Sequence, residues 1–308
     1  MQLITYLLLF PIIWLISLLP LRVLYFFSNA LYFLIFHVIK YRRKVVFENL
    51  RNSFPEKSEK EIQEIARKFY KYFSNLLLEI VKLVTISEKE FKSRINIKNP
   101  EVLEDLYKKG LHCIAVTAHY CNWEYYAGTC GKTPYNIMSL YKPLSNKYID
   151  RLLTRIRTKF GADLVPMSGA LRAIVKYKRE GTLTVSGFIA DQTPVRQYIQ
   201  YWTTFLNQDT PVFLGVEKVA KQTKQAVIFL KMLPVKLGFY EIEVIKLYED
   251  VSNLPDYEVT EAHVRLLEKI IQEKPEYWLW THRRWKLSHL RKDMEEISSV
   301  KNNSLSNE

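Results

Sequence analysis

From Leu3 to Leu19 the chain is almost wholly apolar and carries no charge, close to the roughly 20 residues that cross a bilayer. This predicts a membrane helix. No basic residue precedes the run and no small-residue cleavage pattern follows Pro20, which argues against a cleaved signal peptide. In the next stretch, Leu21 to Ile39, the residues Arg22, Asn29 and Lys40 fall within about 20° of one another on a helical wheel of otherwise greasy positions. That pattern suits a helix lying in the membrane interface. Residues 45–93 carry helical periodicity broken mainly at Pro55, and Ser58 followed by Glu61 is a capping-box signal. In the helix it opens, Ile62, Ile65, Phe69, Tyr72, Phe73, Leu76, Leu77, Ile80 and Leu83 keep three-and-four spacing.

Beyond Leu111 the period changes. Strands are predicted over 111–117, 136–141, 162–166 and 182–190, with helices over 145–160 and 168–180 between them. Such alternation predicts an α/β fold with a mixed, mostly parallel central sheet flanked by helices. A helix over 212–224, two antiparallel strands over 225–233 and 238–248 joined at Leu237-Gly238, and a helix over 257–273 complete the pattern. Three regions follow: an anchor with an interfacial helix over 1–40, a main domain over 41–287, and a frayed polar tail over 288–308. The main domain divides into a helical part, 41–93, and an α/β core, 94–287.

The charge balance of 45 Lys+Arg against 32 Asp+Glu, net +13, calls for an anionic partner: nucleic acid, an acidic protein, a phosphorylated substrate or an anionic membrane face. Lys40, Arg42, Arg43 and Lys44 follow the apolar segments. By the positive-inside tendency they place the main domain on the cytoplasmic side. Three clustered cysteines, Cys113, Cys121 and Cys130, are too few for a disulfide framework and point to a reducing compartment.

Candidate chemistry gathers where strands end, the edge at which open α/β sheets collect ligands. His119 follows strand 111–117, Lys142 follows 136–141, and Asp191 with Gln192 follow 182–190. Five residues turn about 140° on a helix, so His119 and Glu124 meet only if His119 lies in the turn. There Glu124 would hold one ring nitrogen and leave the other to take a proton from a hydroxyl. Backbone N–H groups at the start of the following helix would be natural donors to an oxyanion. Lys147, Arg151 and Arg155 share one helix face, and Arg172, Lys176 and Arg179 another. Arg283 and Arg284, between Trp280 and Trp285, either contact a phosphate or stack on the tryptophans. The spacings of His112, Cys113, His119, Cys121 and Cys130 fit no zinc pattern. Cys121 as a nucleophile with His119 as its base is an alternative that a Cys121→Ser variant would discriminate.

The ordered blocks resemble the late lipid A biosynthesis acyltransferases, the lauroyl and myristoyl transferase type within the glycerolipid and glycolipid His-x4-Asp/Glu superfamily. The matching residues are His119 with Asn122-Trp123-Glu124, Tyr141-Lys142-Pro143 with Asn146, Arg157 with Gly161, Arg172 with Gly181, Asp191-Gln192, and Trp280 to Lys286. The resemblance implies transfer of a fatty acyl chain from acyl-carrier protein, or acyl-CoA, to a hydroxyl of a lipid A precursor or similar glycolipid at the inner membrane. It implies His119 and Glu124 as the catalytic pair, Arg157 and Arg172 as substrate-phosphate ligands, and no metal or organic cofactor. Lys142 stands where the family usually has Arg, which keeps the charge but loses the two-pronged grip. A related activity on a lysophospholipid or aminoacyl lipid fits the same residues. A basic peripheral membrane or nucleic-acid-binding protein is the non-enzymatic alternative, but no nucleic-acid-reading motif is present, and a nucleic-acid partner is not expected.

Overall fold

The computed structural model describes residues 2–291. Two apolar helices come first, α1 (Gln2–Leu18) and α2 (Leu21–Phe33), then α3 (Arg43–Ser53), α4 (Glu59–Lys82) and α5 (Glu88–Ser93). The α/β part runs β1 (Ile95–Ile97), α6 (Glu101–Lys108), β2 (Cys113–Thr117), β3 (Asn136–Tyr141), α7 (Lys147–Thr158), β4 (Asp163–Pro166), α8 (Ala170–Arg179) and β5 (Thr184–Ile189). It continues with β6 (Tyr201–Phe205), β7 (Gln208–Val212), α9 (Gly215–Thr223), β8 (Ala226–Lys236), β9 (Phe239–Tyr248) and α10 (Glu258–Glu273).

Seven strands form one sheet in the order β1-β9-β8-β2-β5-β3-β4. Every neighbouring pair is parallel except β8 with β9, so the mixed, mostly parallel sheet stands as the pattern predicts. The order explains the unbroken apolar run of β2: the strand is central, and all five of its residues are buried. It also sets the register that matters for chemistry. Thr117 of β2 pairs with Ile189 of β5, so His119 and Asp191, each two residues further on, leave the sheet side by side.

The amino-terminal segment departs from expectation. The 17 residues of α1 include Pro11, whereas α2 continues through a π-helical turn, Leu34–Val38. Among the described residues Leu21–Val38, at 18 residues, is the helix long and apolar enough to cross a membrane, and Tyr6–Leu18 within the expected Leu3–Leu19 segment is a shorter apolar one. The wider π turn shifts the phase of the side chains, and Lys40 lies past it with a φ of 53°. The polar stripe of Arg22, Asn29 and Lys40 therefore does not continue as one helical face. Both apolar helices pack against α4, and α1 also meets α7. Lys82 of α4 donates to the carbonyls of Ser17 (2.9 Å) and Leu19 (3.0 Å), closing the end of α1. The outer faces stay bare, with Leu7, Phe26 and Phe33 all more than half exposed.

The capping box forms as expected, with Ser58 and Glu61 bonded reciprocally at the start of α4. The carboxyl end corrects the frayed tail in part. Ser288 donates to the Asp209 carbonyl (2.6 Å), Leu290 is buried, and Arg291 pairs with Asp209 (2.5 Å). The rest of the predicted tail, 292–308, lies outside the described residues.

Candidate active site

His119 leaves β2 into a loop that is itself paired. Its carbonyl accepts from Leu279 N (3.1 Å), Tyr120 bridges Trp278 in antiparallel fashion, and Cys121 N donates to the Tyr277 carbonyl (3.0 Å). Cys121 adopts a φ of 54°, an uncommon conformation for a residue with a Cβ, and the pairing on both sides holds it there. The closing segment 277–279 thus acts as a short brace for the His119 loop.

Asp191 organises the centre. Its Oδ1 lies 2.7 Å from His119 Nδ1, while Oδ2 accepts from the His119 backbone N–H (3.0 Å) and from Trp278 Nε1 (2.8 Å). Burial pushes the Asp191 carboxyl up, but the facing His119 ring and the hydrogen bonds from His119 and Trp278 outweigh it and hold the group below its ordinary value. An ionised carboxylate only accepts, so His119 carries its proton on Nδ1 when neutral. Nε2 is then the free acceptor. Gln192 Nε2 donates to it at 3.2 Å. Asp191 is buried and Gln192 exposed, so the ring joins a closed, charged interior to an open edge.

Glu124 is engaged elsewhere, which corrects the expected contact with the histidine ring. Both of its oxygens are gripped by Arg157, Nε to Oε2 at 2.8 Å and Nη2 to Oε1 at 2.6 Å, and no hydrogen bond joins it to His119 among the described residues. The physical reason lies in the two elements. Glu124 belongs to a short 3-10 turn, Trp123–Thr129, and Arg157 to the last turn of α7. The arginine predicted to bind substrate phosphate therefore holds a carboxylate, with 28 % of its side chain exposed against 9 % for Glu124. The ring of Trp123 stands edge-on to His119 at 4.9 Å.

The other expected site residues separate by exposure. Lys142 is exposed at the end of β3, Arg172 on α8, and Arg283 in the closing block. Asn146 of the Lys142 block caps α7, accepting from Tyr148 N and Ile149 N. Arg284, in contrast, is only 3 % exposed and donates to the Pro211 carbonyl (2.9 Å). It lines a cavity of about 20 Å³ with Asp191, Thr117 and His263, where its Nε and Nη1 and His263 Nε2 have no hydrogen-bond partner. Burial pulls the Arg284 guanidinium down to about 10 against the attraction of Asp191. Arg284 is therefore a buried cation near Asp191 and not a surface residue. Neither it nor Arg283 stacks on Trp280 or Trp285 among the described residues. Cys121 is fully buried, its Sγ 3.5 Å from the Met232 carbonyl, and burial pushes its thiol well above the ordinary value. That suits packing, not a thiolate nucleophile.

Two residues at the centre carried no signal of their own in the sequence. Trp278 lies just outside the closing block, and its indole N–H completes the Asp191 carboxylate. Glu79 of α4 is closed to solvent and accepts from Asn122 Nδ2 (2.7 Å) beneath the His119 loop. A carboxylate in a helix whose neighbours Leu76 and Leu83 are core positions was the available clue.

A histidine with a carboxylate-fixed tautomer and a second nitrogen toward the exposed Gln192, at the carboxyl edge of a mostly parallel sheet, has the arrangement of a group that can accept a proton. The pattern of the family described as bacterial lipid A biosynthesis acyltransferase matches residues 2–287, and the chain belongs to that family. It is similar to a lipid A biosynthesis lauroyltransferase of Escherichia coli, 24% identical over 279 residues that cover 89% of each chain. It is also similar to a lipid A biosynthesis acyltransferase of Haemophilus influenzae, 23% identical over 271 residues, 85% of this chain and 80% of the relative. A lipid A biosynthesis palmitoleoyltransferase of Escherichia coli is 21% identical over 277 residues, 89% of each.

Proposed function

We propose that the protein is a membrane-associated O-acyltransferase that moves a fatty acyl chain from an acyl-carrier protein thioester, or acyl-CoA, to a hydroxyl of a lipid A precursor. His119 is the general base and Asp191 its orienting carboxylate. The observation that carries this reading is the 2.7 Å contact of Asp191 with His119 Nδ1, which leaves Nε2 on the open side.

As the acceptor hydroxyl oxygen attacks the thioester carbonyl carbon, its proton passes to His119 Nε2, and Asp191 stabilises the imidazolium that forms. Collapse of the tetrahedral intermediate breaks the C–S bond. The departing thiolate takes the proton back from Nε2, leaving an ester, a free thiol and a neutral ring. Gln192, already donating toward Nε2, stands where its carboxamide can turn to the developing oxyanion. The partly exposed Arg157 guanidinium of the Glu124 clamp, with the exposed Lys142, Arg172 and Arg283, offers charge to acceptor phosphates. The exposed apolar faces of α1 and α2 supply the membrane contact, and Lys40, Arg42, Arg43 and Lys44 favour the cytoplasmic side of the inner membrane.

The test is acyl transfer from a loaded carrier to a lipid A precursor, read by mass spectrometry. Asp191→Asn should lower kcat by about 10³–10⁴ with little change in KM, because it permits the wrong tautomer, and His119→Ala by at least about 10². Glu124→Gln should cost less than Asp191→Asn. A larger loss in the glutamine variant than in the asparagine variant would return the orienting role to Glu124.

A further inference from the structure

Away from the His119 loop, α3, α4 and the π turn enclose a groove of about 450 Å³, the size of a small-ligand pocket. Its walls hold four cations, Arg43, Lys44, Arg51 and Arg67, against a single carboxylate, Glu59. That carboxylate is already taken by Arg51 in a two-pronged contact of 2.9 and 2.7 Å. Among the described residues Arg43, Lys44 and Arg67 form no ion pair. Arg43 is held in place by aromatic rings instead, its guanidinium carbon 4.6 Å from the Phe36 centroid and 5.5 Å from that of Phe47. A guanidinium fixed by stacking keeps its edge N–H groups free for an anion and gives up little freedom when one binds.

The groove is separate from the acyl-transfer centre. Arg42, Asn49 and Ser53 on another face of α3 point to the closing block and the β6–β7 turn, through Thr281, Trp280, His282 and Asn207, whereas Arg43, Phe47 and Arg51 turn toward α4. Phe36 and His37 of the π turn line the groove, and the chain on either side of them is bare and apolar: Phe33 is 59% exposed, Leu34 43%, Val38 59% and Ile39 59%. A pocket of unpaired cations beside an apolar wall has the chemistry of an amphiphile with an anionic head.

We infer that this groove binds the phosphodiester headgroup of an anionic membrane phospholipid, with the acyl chains lying along the π turn and the end of α2. Arg43, Lys44 and Arg67 contact the phosphate, and the site sets how the enzyme sits on the bilayer. The inference rests on the membrane association proposed above and adds a specific lipid site to it.

The full chain, purified in detergent and transferred to sedimentation assays with vesicles of phosphatidylcholine alone or with phosphatidylglycerol, tests it. The phosphatidylglycerol vesicles should bind more tightly, and Lys44→Gln with Arg67→Gln should weaken that binding by about 30-fold while leaving the phosphatidylcholine arm unchanged. Both side chains are exposed and unpaired, so the double variant keeps the fold. Arg151→Gln with Arg155→Gln on α7 removes the same charge elsewhere and should change binding far less. Equal losses from the two double variants would reduce the effect to diffuse charge and overturn the groove. Unchanged vesicle binding with a raised KM for the loaded carrier would assign the groove to an acidic protein instead, which also overturns it. Failure of the unaltered protein to bind either vesicle would remove the membrane association itself, an outcome distinct from the other two.

Discussion

Glu79 ties three elements to one buried carboxylate. Tyr25 Oη of α2 donates to Oε1 (2.8 Å), while Asn122 Nδ2 of the site loop (2.7 Å) and Tyr240 Oη of β9 (2.8 Å) donate to Oε2. Glu79→Ala strands all three donors, and Asn122 and Tyr240 lie where water does not reach, at 0% and 3% exposure. One buried unsatisfied donor costs about 1–3 kcal/mol, so these two alone cost about 2–6 kcal/mol. Against a total stability of about 5–15 kcal/mol that is a large fraction, and at about 2 °C per kcal/mol for a chain of this size Tm should fall by about 4–12 °C. Glu79→Gln should behave differently. Its carbonyl oxygen can replace Oε2, and its amide faces Tyr25, whose hydroxyl turns to accept, so the expected loss is under about 1.5 kcal/mol. Burial raises the Glu79 pKa, with the hydrogen bonds from Asn122, Tyr240 and Tyr25 opposing it. For an acid whose folded pKa lies above its unfolded value, stability falls as pH climbs from about 4.5 through the folded pKa, and the glutamine variant should lack that slope. Thermal unfolding followed by circular dichroism, paired with acyl transfer well below both midpoints, reads all of this. Because Asn122 lies between His119 and Glu124, the alanine variant should also lose turnover while still folded. An alanine variant as stable as the parent, or a glutamine variant as damaged as the alanine one, would refute the reasoning.

Three further outcomes are expected. Burial pushes His263 down to about 4, so it stays neutral in the fold while the unfolded chain protonates near 6.5; stability is lost as pH falls from 6.5 to 4, by about 3 kcal/mol in all. Urea midpoints at pH 7 and 4.5 should therefore differ less in His263→Phe than in the parent, and an equal difference would sink the idea. Arg284→Met should change Tm little, because it gives up one hydrogen bond to the Pro211 carbonyl but also removes a buried charge that the fold disfavours, while Asp191 keeps its bonds from His119 and Trp278; a raised KM for the acceptor would instead make Arg284 a substrate ligand. Cys121→Ala should keep near-parental acyl transfer, since the thiol packs against Met232 and holds no reacting atom, and its inactivation in a folded variant would revive the thiol alternative.

The three-residue β1 and the short α6 were too brief to show a period, whereas most strands and helices from β2 onward were legible because they carry continuous or periodic apolar runs; the 136–141 strand runs from Asn136 to Tyr141 as predicted. The β6–β7 hairpin was not. Its turn uses Leu206 and Asn207 at φ 49° and 61°, and leucine in a left-handed conformation announces no turn. What holds Leu206 there is a long-range bond from its N–H to Glu268. The edge at which the site forms could be read from strand ends alone, which brought His119, Lys142 and Asp191 together. The partner of the histidine could not, because residues 72 positions apart meet only through the β2–β5 register. Nearness in sequence favoured Glu124, and the rotation of a 3-10 turn toward α7 decided against it.

The alignment of Thr117 with Ile189 also fixes when this enzyme becomes competent during folding. The His119–Asp191 pair exists only after a long loop has closed and two central strands have docked in parallel, the kind of non-local step that slows folding. Local helices such as α4, α7 and α10 need no such closure. Refolding followed by far-ultraviolet signal should therefore run ahead of refolding followed by acyl transfer, and substitutions within the β2–β5 pair should slow the second without delaying the first.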